Sequence, residues 1–325
     1  MSPSAGRFCQ LWAIADLTVE LNTNNNLIFE AGQLLLKPFS NIRAVESPSI
    51  SLSIFSAGKE QDIPFRIPST AKWVRPHLWL YGNDCFIFDF EPALIFVDLA
   101  SCTARGFIVR PEGLCKDWLT EVAILVPLVA LLRSRGAYRI HAGAVAMDGL
   151  GILLPGARKS GKTTTLINLV RSGFQFISDD RPLIRENANG LEILAFHQHV
   201  YVTEATIRFF PELRFLLGQD NEHPKKSFLI DKVYPNSTID KCEPRLLIFP
   251  QIMSSNRSTL TPISRPECLQ RLIPHSLKVF GSHQIARAHF QTLSHLVEST
   301  TPYLLHLGRD LDAVPDMIRR CLHQD

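Results

Sequence analysis

The feature that most limits what this chain can fold into is the run Gly156-Ala157-Arg158-Lys159-Ser160-Gly161-Lys162-Thr163, a full match to the pattern G-x-x-x-x-G-K-[ST]. Its flanks suit it. Ile152-Leu153-Leu154 is a short apolar run that reads as a buried strand, and Leu166, Leu169 and Val170 recur at helical spacing before Arg171. A strand, a glycine-bounded loop and a helix in that order aim several backbone N–H groups and the positive end of the helix dipole at one spot. A polyphosphate fits there. Gly156 and Gly161 allow the backbone to approach it without a side chain in the way. The expected nucleotide-binding set is Gly156, Ala157, Arg158, Lys159, Ser160, Gly161, Lys162, Thr163 and Thr164. Within it, Lys162 reaches the β- and γ-phosphates and the Thr163 hydroxyl ligates Mg²⁺.

Two carboxylates follow. Gly173 ends the helix, 174–178 reads as a strand, and Asp179 and Asp180 come directly after it. A strand–helix–strand crossover is right-handed, so the second strand runs parallel to the first. Its carboxyl end emerges beside the glycine loop, where open α/β sheets bind ligands. Adjacent acids beside a magnesium nucleotide suit two tasks, one on the metal and one on a hydroxyl proton.

A third segment converges on the same edge. The apolar runs 144–147 and 151–154 flank Asp148-Gly149, a hairpin signal. In an antiparallel pair closed there, His141 lies across from about Gly156. Its imidazole is then in reach of a phosphate or of Asp179.

Together, Arg139-Ile140-His141-Ala142-Gly143, the Asp-Gly hairpin, Gly156 to Thr163 and Ser178-Asp179-Asp180 resemble the catalytic domain of HPr kinase/phosphorylase and its relatives. That P-loop kinase group is akin to phosphoenolpyruvate carboxykinase. The resemblance covers about 141–183. It implies that His141, Lys162 and Asp179 are catalytic, with proton transfer assigned to Asp179 and Mg²⁺ to Thr163 and Asp180. The run Thr163-Thr164-Thr165 is closer to the carboxykinase form. The chain looks more like divergent HPr-kinase-like proteins, some of which are associated with modification of ribosomally made peptides. The implied activity is ATP- and Mg²⁺-dependent transfer of the γ-phosphoryl group to a hydroxyl. A Ser or Thr of a peptide or small protein is the first choice of acceptor, and a small-molecule alcohol the second. The family is often oligomeric, which makes a homo-oligomer an expectation. A carboxykinase-like enzyme and a nucleotide-binding regulatory module without transfer activity are the other readings.

Composition narrows the classes. A net charge of +3 lacks the basic bias of a nucleic-acid binder. The seven cysteines are scattered, odd in number and without a C-x-x-C pair, as suits a reducing cytoplasm more than a disulfide framework or zinc site. The longest apolar run, Val122 to Leu132, contains Pro127 and is too short to span a bilayer, and the amino terminus does not read as a signal peptide.

The fold class expected is α/β: a P-loop kinase domain of the HPr kinase/carboxykinase type, a mixed sheet flanked by helices, over 113–325, preceded by a smaller β-rich domain over 1–112. In the first part, 17–21, a segment starting at Leu27-Ile28-Phe29, 49–54, 77–81, 86–90, 94–98 and 103–109 read as strands of an antiparallel set. Asp117 to Arg135 reads as one long helix that Pro127 kinks. Further on, Arg181, Arg185 and Lys226 are basic candidates for phosphate contact. His197 and His199 share a strand face but lack a third ligand. Residues 251–262 read as a mobile polar loop, and 302–307 as a strand before a last helix.

Overall fold

The computed structural model describes residues 7–14, 16–37, 39–42, 47–196, 199–218, 226–276 and 283–323. They divide into two compact units: the described residues up to Ala137 with the helical residues 283–287, and Tyr138 onward without those residues. Residues 113–137, expected with the glycine loop, therefore group with the first unit.

The first unit holds a nine-stranded sheet. Its strands are β1 (Phe8–Ile14), β2 (Leu17–Thr23), β3 (Ser40–Ile42), β4 (Ile50–Ala57), β5 (Lys72–Arg75), β6 (Leu78–Tyr81), β7 (Cys85–Phe90), β8 (Ala93–Asp98) and β9 (Thr103–Val109), in the order β3-β1-β2-β4-β9-β8-β7-β6-β5. The expectation of an all-antiparallel set is corrected here, because β4 pairs in parallel with both β2 and β9. The expected strand at Leu27 is also corrected. Helix α1 (Asn26–Leu36) occupies that place, and the Asn25 carboxamide caps it by accepting from the N–H groups of Leu27 and Ile28. Its Ile28, Ala31 and Leu35 are buried at helical spacing. Gly32 sits mid-helix, where a Cβ would lie 2.2 Å from Leu21 Cδ2, so its absence lets α1 settle on β2. The connection from β2 to β4 thus runs through a helix, which is what a parallel pair requires.

The expected long helix is a composite: α2 (Lys116–Trp118), a wide π-helical stretch Leu119–Leu125, and α3 (Val126–Ser134). Pro127 supplies no N–H, and the Val126 N–H bonds five residues back to the Glu121 carbonyl. Leu119, Ala123, Ile124, Leu128, Leu131 and Leu132 are buried. The stretch packs on α1, and α3 on β4, β8 and β9, which accounts for its grouping with the first unit.

The second unit has a mixed sheet built from β10 (Ala137–Arg139), β11 (Ala142–Met147), β12 (Leu150–Pro155), β13 (Gln175–Ser178), β14 (Leu183–Asn187), β15 (Gly190–Leu194), β18 (Lys241–Ile252), β19 (Thr259–Pro262) and β20 (Thr301–Leu307). A separate pair joins β16 (His199–Val202) to β17 (Lys226–Leu229). The helices are α4 (Lys162–Arg171), α5 (Glu204–Ile207), α6 (Ile230–Val233), α7 (Arg265–Ser276), α8 (His283–Ser299) and α9 (Val314–Leu322). The expected hairpin is present: Met147 pairs with Leu150 and Ala142 with Pro155, closed by Asp148 and Gly149, both at positive φ. Strand β13 pairs antiparallel with β11, so it runs parallel to β12 with β11 between them. On the other flank β12, β18 and β20 are parallel neighbours. The carboxyl ends of β12, β13, β18 and β20 therefore share one edge.

Alternate side chains divide between two cores. Val145, Ile152 and Leu154 join Leu166 and Leu169 of α4 and Ile318 of α9. Ala144, Ala146 and Leu153 join Leu272 of α7 and Leu293 and Leu296 of α8. Each of the Val, Ile and Leu side chains contributes roughly 1.5–3 kcal/mol by burial. Gly151 marks the tightest point of the sheet. A Cβ there would lie 2.4 Å from Cys242 Sγ, 2.6 Å from Ile193 Cδ1 and 2.9 Å from the Glu243 carbonyl. Gly151→Val should destabilise the chain by about 2 kcal/mol or more, seen as a lower urea midpoint at unchanged slope. An unchanged midpoint would contradict this packing.

Candidate functional site

The loop 156–161 leaves the carboxyl end of β12 and enters α4. Its tight path is set by Lys159 and Gly161, at φ +68° and +102°. Glycine is required at 161 for a second reason, since a Cβ would lie 2.5 Å from Leu307 Cδ1. At Gly156 a Cβ would meet Ser160 Oγ at 2.7 Å. Ala157, Arg158 and Lys159 are exposed. Lys162 is buried and curls over the loop, donating to the carbonyls of Gly156 at 2.8 Å and Ala157 at 3.1 Å. Thr164 turns instead towards Thr206, with the two hydroxyls 3.3 Å apart.

Asp179 emerges from β13 onto the same edge. Only 3% exposed, it accepts from the Thr163 hydroxyl through Oδ1 at 3.3 Å and from the Tyr201 N–H through Oδ2 at 3.4 Å. Burial raises its carboxyl to about 7, helped by the neighbouring Asp180 charge; the Tyr201 N–H, Thr163 and Lys162 oppose the rise. Asp180 follows in the left-handed conformation, φ +68°, which turns its side chain away from the strand direction towards His141. His141 Nδ1 is 3.7 Å from Asp180 Oδ1. Burial lowers the imidazole pKa, Asp180 opposes this, and Lys162, Arg139 and His275 add to the lowering. Lys162, Thr163, Asp179, Asp180 and His141 thus meet at one sheet edge, although they come from three separate segments.

His275 was not anticipated. It sits near the end of α7, where its carbonyl accepts from the His141 N–H at 2.7 Å and its ring lies 6.2 Å from the His141 ring. Burial and the Lys162 charge lower its pKa. Nothing in a separation of 134 residues announces that pairing, because α7 reads only as an amphipathic helix. Arg185 moves the other way. It lies opposite Glu192 across the β14–β15 pair and forms a buried ion pair with it, so it is withdrawn from any phosphate. His197 lies outside the described residues. Lys226 falls in β17, paired opposite Val202.

The donor set fits a magnesium polyphosphate. Ser160 Oγ and Asp180 Oδ1 are buried without a hydrogen-bond partner among the described residues. The first is a donor beside the loop, and the second an anionic oxygen of the kind a hard cation takes. No cluster of three or more His, Cys, Asp or Glu able to hold a metal occurs among the described residues. Magnesium does not require one, because it is usually held by one or two carboxylates plus substrate phosphates.

The fold and site define a mixed α/β chain with a glycine-bounded strand–loop–helix and a buried acid beside it. No family model matches the sequence, and no curated protein matches it. Among solved structures, the chain is similar to the HPr(Ser) kinase/phosphatase from Coxiella burnetii, at 12% identity and a TM-score of 0.31, over 57% of this chain and 93% of that one. No helix among the described residues is long and apolar enough to cross a membrane.

The Asp179 environment carries a pH signature. Its folded pKa, about 7, lies above the ordinary carboxyl value, so the folded state favours the protonated form. The stability this group preserves is complete below about pH 4 and is lost as pH rises through about 7. In chelator, Asp179→Asn should leave the thermal midpoint unchanged near pH 4. Near pH 8 it should raise the midpoint, by roughly 4 kcal/mol of stability at most. A difference independent of pH would show that the carboxylate is not strained by burial.

Proposed function

We propose that this protein is an ATP- and Mg²⁺-dependent phosphotransferase that moves the γ-phosphoryl group to a hydroxyl, with Ser or Thr of a peptide or small protein as the acceptor class. The observation that carries the reading is the Thr163–Asp179 contact. It sets a buried carboxylate against the hydroxyl that follows the loop lysine. Most of phosphoryl-transfer catalysis is positioning and charge stabilisation, and these residues supply both.

In this reading Lys162 leaves its carbonyl partners to neutralise the β- and γ-phosphates, and the loop N–H groups and Ser160 hydroxyl hold their oxygens. Thr163 and Asp180 would hold Mg²⁺, which when bound would supply charge neutralisation to the phosphates. Asp179, oriented by the Thr163 hydroxyl and Tyr201 amide and poised near neutrality, accepts the acceptor's proton. The acceptor oxygen bonds to the γ-phosphorus, the bond from that phosphorus to the β–γ bridging oxygen breaks, and ADP departs. His141 steadies Asp180 from 3.7 Å away. Its N–H is anchored on the His275 carbonyl.

The test uses γ-labelled ATP with a Ser/Thr peptide library and a panel of alcohols. Asp179→Asn should lower transfer by about 10²-fold or more with ATP affinity nearly unchanged, and Lys162→Ala should lose both. Wild-type activity in Asp179→Asn would remove the carboxylate from proton transfer. Slow ATP hydrolysis with no labelled hydroxyl would make the chain a nucleotide-binding module instead.

A further inference from the structure

Parallel strands β18 and β20 end beside the glycine loop on the flank away from the acids, with Ile252 and Leu307 as the last residues in register. Both side chains reach Gly161: a Cβ there would lie 2.5 Å from Leu307 Cδ1 and 3.4 Å from Ile252 Cγ1. The chain after β18 was expected to be a mobile loop. It is pinned instead. Met253 N–H donates to the Leu307 carbonyl at 2.9 Å, and Arg309 N–H to the Ser255 carbonyl at 3.1 Å. Ser258 donates to Asp310 Oδ1 through N–H at 2.6 Å and Oγ–H at 2.7 Å, while its Oγ accepts from Gly308 N–H at 2.9 Å. Gly308 is needed at this crossing, since a Cβ would lie 2.5 Å from the Arg257 carbonyl carbon. On this held edge two large apolar side chains face solvent, Ile252 at 62% and Met253 at 42% exposure.

The geometry points to the Ile252–Met253 edge as the subsite for the purine base of the nucleotide. This rests on the phosphate-loop reading proposed above. The acids and His141 occupy one side of the loop and bring the acceptor there, so the nucleoside leaves on the other side. Ligands in open α/β sheets lie along the carboxyl ends of the strands, and the strands on that side are β18 and β20. A flat base gains most from an apolar surface whose side chains are already held in place. Ile252 offers a branched face in contact with the loop. Met253 offers a polarisable thioether suited to a π-face.

The test compares two probes, MgATP and magnesium tripolyphosphate, titrated calorimetrically into the full chain. The tripolyphosphate reports the phosphate site alone. The wild type should bind MgATP at least about tenfold more tightly than tripolyphosphate. The double variant Ile252→Ser, Met253→Ser should lose about tenfold for MgATP with tripolyphosphate affinity unchanged. Both positions are exposed, so the fold should tolerate the change; Met253→Gln repeats the comparison should the double variant melt early. Unchanged MgATP affinity, an equal loss for both probes, or a wild type that binds both probes equally would overturn the base subsite. In the last case the apolar edge would face the acceptor. Failure of the wild type to bind either probe would refute the phosphate site itself, and the subsite with it.

Discussion

A fully buried carboxylate at the end of a strand is the constraint around which the second unit is arranged. An isolated ionised carboxylate removed from water is costly, and a protein tolerates it only with hydrogen bonds or with a bound proton. Asp179 has two donors, the Thr163 hydroxyl from the start of α4 and the Tyr201 amide from β16. That pair of bonds joins the loop helix, the crossover strand and the separate β16–β17 pair at one atom group. Ordinary packing would place a hydrophobic residue there. The retained acid, with Asp180 and His141 beside it, is the local inconsistency expected of a functional site.

The sheet distributes the work by strand. Small and branched side chains on its two faces close separate cores, with α4 and α9 on one side and α7 and α8 on the other. Little is left for the faces to do but hold. The candidate site lies at the edge where β12, β13, β18 and β20 end. There the chain gathers basic and hydroxyl groups in the centre, acids and imidazoles to one side, and a pinned apolar border to the other.

Much of this edge was legible in the residues. The loop pattern carried its own context, and the Asp-Gly turn fixed the β11–β12 register closely enough to bring His141 to the end of the ladder, one residue beyond the Ala142–Pro155 pair. The crossover rule gave the direction of β13. Elsewhere local pattern misled. Leu27-Ile28-Phe29 has the apolar density of a strand, but Asn25 caps a helix there, and the burial of Ile28, Ala31 and Leu35 follows the longer period. The polar run after Ile252 looked loose because its order comes from Asp310 and Leu307, some fifty residues away. His275 and the Ile252–Leu307 contact with Gly161 were hidden for the same reason: they depend on long-range pairing of β18 with β20 and on where α7 ends. Arg185 looked available until its cross-strand neighbour proved to be Glu192.

The two-residue turn at Asp148-Gly149 acts as a ruler for the imidazole. His141 lies seven residues upstream of Asp148, and the β11–β12 ladder, together with the bond from its N–H to the His275 carbonyl, sets how far along the edge it stops. One residue inserted in β11 beyond that turn would reverse which side of the sheet each preceding residue faces, and two would carry His141 about 7 Å along its strand. The glycine loop and Asp179, which hang on β12 and β13, would keep their mutual spacing through α4. A chain altered only in that short stretch would keep its glycine loop, yet Asp180 would have lost its imidazole neighbour. In this architecture, the glycine loop and the imidazole are separable by a length change at a distance from both.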